Sequence, residues 1–182
     1  MSEAFTIKVF FRGDWCPWCS AYLTDFNNAL PGITNLGGSV VAITAQADNQ
    51  SKANLDLNYD VQIDESNTEA NKYGIFITPK DQSPLADVDG VYPSGMAQPG
   101  VIIENAVGDV LFKWAINPDK MNFGGATDRP LVADIVLSLQ SILQGKSIDG
   151  NSLSKTNIEY LADNHPAEHE KVQAYLASLK KQ

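Results

Sequence analysis

The sequence predicts an α/β domain built on a partly parallel sheet, followed by a helical C-terminal extension. Three observations carry that expectation. Strand-like and helix-like apolar patterns alternate through the first half of the chain, two β-rich runs follow around a Gly-Asp turn, and the C-terminal part carries apolar residues at helical spacing. Alternation of this kind implies βαβ crossovers, which lay strands side by side in parallel.

Phe5 to Phe11 (F-T-I-K-V-F-F) is a short run of β-formers and reads as a buried strand. Arg12-Gly13-Asp14 breaks it, and from Cys16 the spacing turns helical, with Tyr22, Leu23, Phe26 and Leu30 as the apolar stripe and Pro31-Gly32 as the expected end. Val40 to Thr44 reads as a second buried strand, residues 49–58 as a helix, and Val61-Gln62-Ile63 as a third strand. Ser66 to Glu69 opens a brief helix that closes near Tyr73-Gly74, since glycine is usual just past a helix end. Phe76 to Pro99 holds Pro79, Pro84, Pro93 and Pro99 and reads as one long loop. Val101–Ile103 and Val110–Trp114, with Gly108-Asp109 between them, form a β-hairpin. Pro130 starts a helix with Leu131, Ile135, Leu139 and Ile142 on one face, and Gly145 closes it. Residues 1–145 therefore form the domain. Residues 146–182 form an extension, with helical segments 157–162 and 166–180 expected to pack on it through Val172, Tyr175, Leu176 and Leu179.

The chain has 182 residues with 22 acidic and 13 basic side chains, a formal charge of −9. That balance disfavours nucleic acid and anionic membrane as partners, which attract clustered Lys and Arg. No apolar run approaches the ~18 residues needed to cross a bilayer. Met1 to Phe5 has neither the basic nor the apolar region of a secretory signal, so a cytoplasmic location is expected.

Only two cysteines are present, three residues apart in Trp15-Cys16-Pro17-Trp18-Cys19, where a strand gives way to a helix. Proline is favoured at the first helical position, so Pro17 places Cys16 at the N-cap. There the sulfur faces unpaired backbone N–H groups and the positive end of the helix dipole, and both favour a thiolate, the nucleophilic form. Cys19 lies one turn on, within reach of a mixed disulfide at Cys16. Cys16 is thus expected to attack and Cys19 to resolve, with no bound cofactor because the sulfurs carry the electrons. Two inert structural cysteines at the same spacing are the alternative. A zinc site shared with His165 and His169 is disfavoured: fingers separate their ligand pairs by ~12–15 residues, whereas 145 lie between Cys19 and His165. Those histidines read as part of a solvated helix face.

The strand, the W-C-x-x-C at a helix start, the following βα units and the proline before a hairpin resemble the thioredoxin superfamily. Within it, Phe11-Arg12-Gly13-Asp14-Trp15-Cys16-Pro17-Trp18-Cys19 is similar to the R-G-x-W-C-P-x-C motif of peroxiredoxin-like proteins of the AhpC/TSA type. Gly95 to Pro99, Trp114-Ala115-Ile116 and Gly125 to Pro130 are similar to later stretches of that group, so the resemblance spans about residues 5–145. It implies a thioredoxin-like fold, a mixed sheet flanked by helices, and a cis peptide before Pro99 that presents the Gln98 backbone to a substrate beside the cysteines.

Trp15, Pro17, Trp18, Gln98 and Pro99 are accordingly the candidate substrate contacts, the two tryptophans as an aromatic wall. Arg12 and Asp14 are auxiliary candidates, Asp14 for proton transfer or for capping the turn, Arg12 as a polarising cation or a surface ion-pairing group. True peroxiredoxins carry P-x-x-x-T/S-x-x-C, and here Val9 and Gly13 stand at the proline and hydroxyl positions. This departure favours dithiol–disulfide exchange over peroxide reduction. The expected partners are a disulfide-bearing protein, a small disulfide or a hydroperoxide as substrate, and a thioredoxin- or glutathione-type reductant. A thiol peroxidase and a non-catalytic partner-binding module are the rival readings.

Overall fold

The computed structural model describes residues 4–82 and 91–180; Pro84 and the start of the N-terminal segment lie outside them. Five strands form one mixed sheet in the order β3-β2-β1-β6-β7. The central strand β1 (Phe5–Phe10) runs parallel to β2 (Gly38–Thr44), with Ile7 opposite Val40, and antiparallel to β6 (Gly100–Asn105), with Ile7 opposite Ile103. β3 (Asp60–Ile63) extends the parallel edge and β7 (Val110–Ala115) completes the expected hairpin with β6.

Both faces of β1 are covered, which is why its sequence reads as a near-continuous apolar run. Ile7, Val9 and Phe11 pack with Tyr22, Leu23 and Phe26 of α1 (Pro17–Asn35) and with Ile135 and Leu139 of α4 (Val132–Leu143). Phe10 points the other way, to Ile43, Ile102, Tyr73 and Ile75 near α3 (Thr68–Lys72). On that second face Lys8 bridges Glu69 and Glu104 at 3.0 and 2.7 Å. The resulting fold is the thioredoxin-like α/β arrangement that the sequence predicts.

Several boundaries differ from expectation. α1 runs through Pro31 to Asn35. The proline forfeits one backbone hydrogen bond, but the extra turn buries Ile33 completely, and a fully buried isoleucine contributes about 1.5–3 kcal/mol. The helix stops at Gly37, whose φ of 85° suits glycine. α2 is a single turn, Ser51–Asn54, because Asp56 enters the left-handed region at φ 49°. The stretch from Phe76 to Pro99 contains a two-stranded ladder, β4 (Ile77–Thr78) with β5 (Met96–Ala97). α4 starts two residues after Pro130, which instead pairs with Lys155 in an isolated bridge.

Every peptide bond among the described residues is trans, the one before Pro99 included. Gln98 N–H donates to Phe76 O at 2.8 Å and Pro99 O accepts from the Ile116 N–H at 3.0 Å, which ties the link between β5 and β6 to its neighbours. Beyond α4, a 3-10 turn (Gly150–Ser152) leads to α5 (Ile158–Asn164) and α6 (Pro166–Leu179), which fold against α1. No helix among the described residues is long and apolar enough to cross a membrane.

Candidate active site

The strand-to-helix corner is tied by hydrogen bonds from three directions. After the last ladder bond, Phe11 N to Ile43 O, the Arg12 carbonyl accepts from Thr44 Oγ1 at 3.1 Å and from Tyr92 Oη at 2.8 Å. Tyr92 in turn accepts from Trp15 Nε1 at 2.7 Å. Gly13 sits inside this knot: a Cβ there would fall within 3.0 Å of Tyr92 Oη, Gln46 Oε1 and Trp15 Nε1. Cys16 N donates back to Gly13 O, and Pro17 then begins the helix.

Cys16 is the N-cap, as the position of Pro17 requires, and its Sγ accepts from the Cys19 amide at 3.3 Å. Both cysteines are free thiols and buried, Cys16 at 1% and Cys19 at 0% exposure, and they hydrogen-bond to each other. The electrostatics differ from the simple N-cap expectation. Burial lifts Cys16 well above the ordinary thiol range, the hydrogen bond to Cys19 and repulsion from its charge add to the rise, and Arg129 and Arg12 oppose it. Burial also opposes charge on Cys19, yet the hydrogen bond from Cys16 and the charges of Arg129 and Arg12 prevail and hold it well below that range. The two sulfurs titrate as a coupled pair, and the contact with Arg129 favours negative charge on the Cys19 side.

The residue that decides this is Arg129, fully buried and absent from the sequence-derived candidates. Its Nη2 donates to Cys19 Sγ at 3.3 Å, Nη1 to Trp18 O at 3.3 Å and Nε to Ala126 O at 2.9 Å. The guanidinium also lies over the Tyr22 ring, 5.4 Å from its centroid. Arg12, 6% exposed, is a second buried cation: Nε donates to Gln98 Oε1 at 3.0 Å and Nη2 to Gly124 O. Among the described residues neither guanidinium forms a salt bridge with a carboxylate. A buried cation without an anionic partner is costly, so the thiolate is the charge these arginines are built to meet.

A groove of about 840 Å³ opens over this corner. Cys16, Arg12, Trp15, Pro17 and Trp18 line it, and Cys19 does not. Both tryptophans line the groove, Trp15 at 39% exposure and Trp18 at 7%. Three other candidates are placed differently. Asp14 faces the loop after β2, its carboxylate accepting from Gln46 Nε2 and Gln50 N, which makes it a turn-fixing group and no proton donor to sulfur. Gln98 and Pro99 do not reach the groove, because their backbone is committed to the sheet. The Gln98 side chain acts indirectly, bridging Arg12 to Thr78 Oγ1.

Gly125 passes directly over that bridge at φ 98°, and a Cβ would meet Gln98 Oε1 at 2.7 Å and Arg12 Nη2 at 3.1 Å. Gly125→Ala should therefore lower turnover about tenfold or more by displacing Arg12, with a smaller loss of thermal stability. Steady-state kinetics beside a melting curve check this, and unchanged turnover would remove Arg12 from the site.

One histidine also departs from expectation, while His169 lies on an exposed face of α6 beside Gln173. His165 is half-buried at the junction of α5 and α6, with Nε2 2.8 Å from Asp25 Oδ1, while Tyr160 Oη donates to Asp25 Oδ2 at 3.0 Å. It fastens the extension to α1 instead of lying on a solvated face. Among the described residues no three His, Cys, Asp or Glu side chains are grouped to hold a metal.

The family model described as AhpC/TSA family matches residues 3–112, more than half of the chain and including both cysteines. The chain belongs to the AhpC/TSA family. The matched stretch ends within β7, so Arg129 and the two C-terminal helices lie beyond it. No curated protein matches the sequence significantly. Solved structures share the fold: a cysteine-to-serine mutant of Xanthomonas campestris peroxiredoxin Q is 12% identical, covering 77% of this chain and 80% of its own, with a TM-score of 0.55. Peroxidoxin BcpB of Mycobacterium tuberculosis is 14% identical over 79% and 80%, with a TM-score of 0.55. AhpC of Enterococcus faecalis is 15% identical over 80% of each chain, with a TM-score of 0.51. As a member of the AhpC/TSA family the protein is a thiol-dependent redox enzyme, an antioxidant oxidoreductase.

Proposed function

We propose that the enzyme is a thiol peroxidase in which Cys16 attacks a hydroperoxide and Cys19 resolves the product. The observation that carries this reading is the division of labour between the sulfurs: of the two, Cys16 opens onto the groove, while Cys19 lies behind it against the Arg129 guanidinium at 3.3 Å. A sulfur with 1% exposure admits the slender O–O group more readily than a disulfide, which needs three sulfurs in line.

The Cys19 thiolate takes the Cys16 proton as the Cys16 sulfur attacks the terminal peroxide oxygen. The O–O bond breaks, leaving Cys16 as sulfenic acid, and the departing alkoxide takes a proton from water in the groove, so that an alcohol leaves. The Cys19 sulfur then displaces hydroxide from the Cys16 sulfur, its proton passes to that hydroxide to give water, and the disulfide is formed. Arg12, at the groove end beside Cys16, stabilises negative charge developing on oxygen. An external dithiol of the thioredoxin type, or glutathione, restores the two thiols by exchange. A dithiol that must be re-reduced after every cycle suits a reducing compartment, and we assign the enzyme to the cytoplasm.

Dithiol–disulfide exchange with a substrate disulfide is the second reading, favoured by the N-cap position of Cys16 and its contact with Cys19. Rapid mixing of reduced protein with one equivalent of hydrogen peroxide separates the two. Loss of both thiols within seconds, with slow reduction of insulin, supports the peroxidase. Fast insulin reduction without peroxide consumption overturns it.

A further inference from the structure

The two guanidiniums beside the cysteines are both held by the loop between β7 and α4. Gly124 O accepts from Arg12 Nη2, and Ala126 O accepts from Arg129 Nε at 2.9 Å. This loop does not hold its own shape by local preference. Phe123, Gly124 and Gly125 follow one another at φ 52°, 69° and 98°, and an aromatic residue in the left-handed region is strained backbone that persists only where its surroundings fix it. The side chains of Met121 and Phe123 give little support, being 84% and 59% exposed.

The support comes from Asn122, which lies between them and is 5% exposed. Its Oδ1 accepts from Gly125 N at 2.7 Å and from Asp119 N at 2.9 Å, and its Nδ2 donates to Asn117 O at 2.9 Å. Its backbone carbonyl accepts from Ala126 N at 2.8 Å and from Thr127 N at 3.3 Å. In a planar trans peptide the N–H and C=O point in opposite directions, which carries these bonds through to the arginines. The Gly124 C=O and Gly125 N–H belong to one peptide unit, with Arg12 at one end and Asn122 Oδ1 at the other. The Ala126 C=O and Thr127 N–H belong to another, with Arg129 at one end and Asn122 O at the other. Hydrogen bonds in such a chain polarise one another, so Asn122 both aims the two carbonyls and strengthens them as acceptors.

We propose that Asn122 is a positioning residue of the redox site, setting through two peptide units where Arg12 and Arg129 stand relative to the dithiol. Among the described residues no hydrogen bond joins it to either sulfur; it acts through the two cations. Arg12 keeps Gln98 Oε1 as an acceptor and Arg129 keeps Trp18 O, so loss of Asn122 loosens the guanidiniums without freeing them. This role rests on the arginines facing the dithiol, and it is the same whether the substrate is a hydroperoxide or a disulfide.

Thiolate absorbance against pH on the reduced full chain tests it, beside a melting curve for each variant. Asn122→Ala should move the lowest thiol ionisation upward by about one unit, the low end of the roughly 1–3 units that a neighbouring opposite charge supplies. Asn122→Ser keeps a hydroxyl that accepts from an amide in the same kind of turn, and should fall between Asn122→Ala and wild type. In the Arg129→Met background the shift caused by Asn122→Ala should shrink, because one of the two groups it acts through is gone. Asn105→Ala is the matched control: Asn105 Oδ1 also accepts from two amides, Val107 N at 3.1 Å and Asp109 N at 2.9 Å, but beside Phe5, at the end of β1 away from the cysteines. It should lower the melting temperature and leave the thiol ionisation unmoved. An Asn122→Ala chain that ionises like wild type, or an Asn105→Ala chain shifted as far, overturns the positioning role. Should Asn122→Ala not fold, an unshifted Asn122→Ser overturns it. The expected shifts in a chain inert to hydrogen peroxide support the role and remove only the peroxidase reading.

Discussion

Arg129→Met is expected to lower hydroperoxide turnover at neutral pH by about 10²–10³, the range typical for loss of one preorganised charge-stabilising donor. Arg129 is fully buried, lies 3.3 Å from Cys19 Sγ, and the dithiol is its counter-charge. Removing one partner of a buried pair strands the other, at about 3–5 kcal/mol, unless the stranded group neutralises. Cys19 has that escape: it takes a proton, its pKa rises past the ordinary thiol value, and the base that removes the Cys16 proton is gone. Methionine fills the aliphatic part of the space, so the fold should survive. Arg129→Lys should recover part of the rate, because it keeps the charge but loses the fork that reaches Trp18 O and Ala126 O. The pH dependence carries a definite sign. Cys19 is depressed in the folded protein, so its pairing stabilises the reduced fold at pH above the ordinary thiol value and that contribution fades as pH falls through the depressed one. Stability of reduced wild type relative to Arg129→Met should rise with pH across that window; a constant difference would argue against the pairing.

The two cysteine substitutions should fail in different ways. Cys16→Ser should abolish turnover, because Cys19 does not line the groove and cannot substitute for it. Cys19→Ser should still react once with hydroperoxide, slowed by about 10²–10⁴ through loss of the positioned base, and should stop as a sulfenic acid that dimedone traps on Cys16. Mass spectrometry reads both outcomes. Dimedone adducts on Cys19 of the wild type, or full turnover by Cys19→Ser, would reverse the assigned roles.

What the sequence made legible was what local pattern encodes. The apolar run Phe5–Phe11, the hairpin around Gly108 and the stripe in Val132–Leu143 each reflect burial of neighbouring residues, and the N-cap position of Cys16 follows from Pro17 alone. Pro31 misled because its local cost is outweighed by a contact, that of Ile33 with the core, which no window around it reveals. The Met96–Ala97 strand was missed because its partner, Ile77–Thr78, is distant in sequence and only two residues long. Arg129 belongs to a stretch similar to the family's, yet nothing local distinguishes it from a surface arginine; its role depends on a sulfur 110 residues earlier. The Asp25–His165 contact spans 140 residues and was likewise hidden, so the helices beyond residue 146 read as generic packing where they wall the groove. The charge on the dithiol followed the same rule. A helix N-terminus acts locally and was visible, while burial and two arginines act through space, raising Cys16 and lowering Cys19.

The central claim is that one thiolate, on Cys19, is held by Arg129 at neutral pH. Thiolate absorbance measured against pH on reduced wild type, Cys16→Ser, Cys19→Ser and Arg129→Met tests it directly. The account predicts one thiolate already ionised well below the ordinary ~8.5 in the wild type, retained in Cys16→Ser and lost in both Cys19→Ser and Arg129→Met. A wild-type pair that ionises only near the ordinary value, or a low-pH thiolate that survives in Arg129→Met, would contradict it.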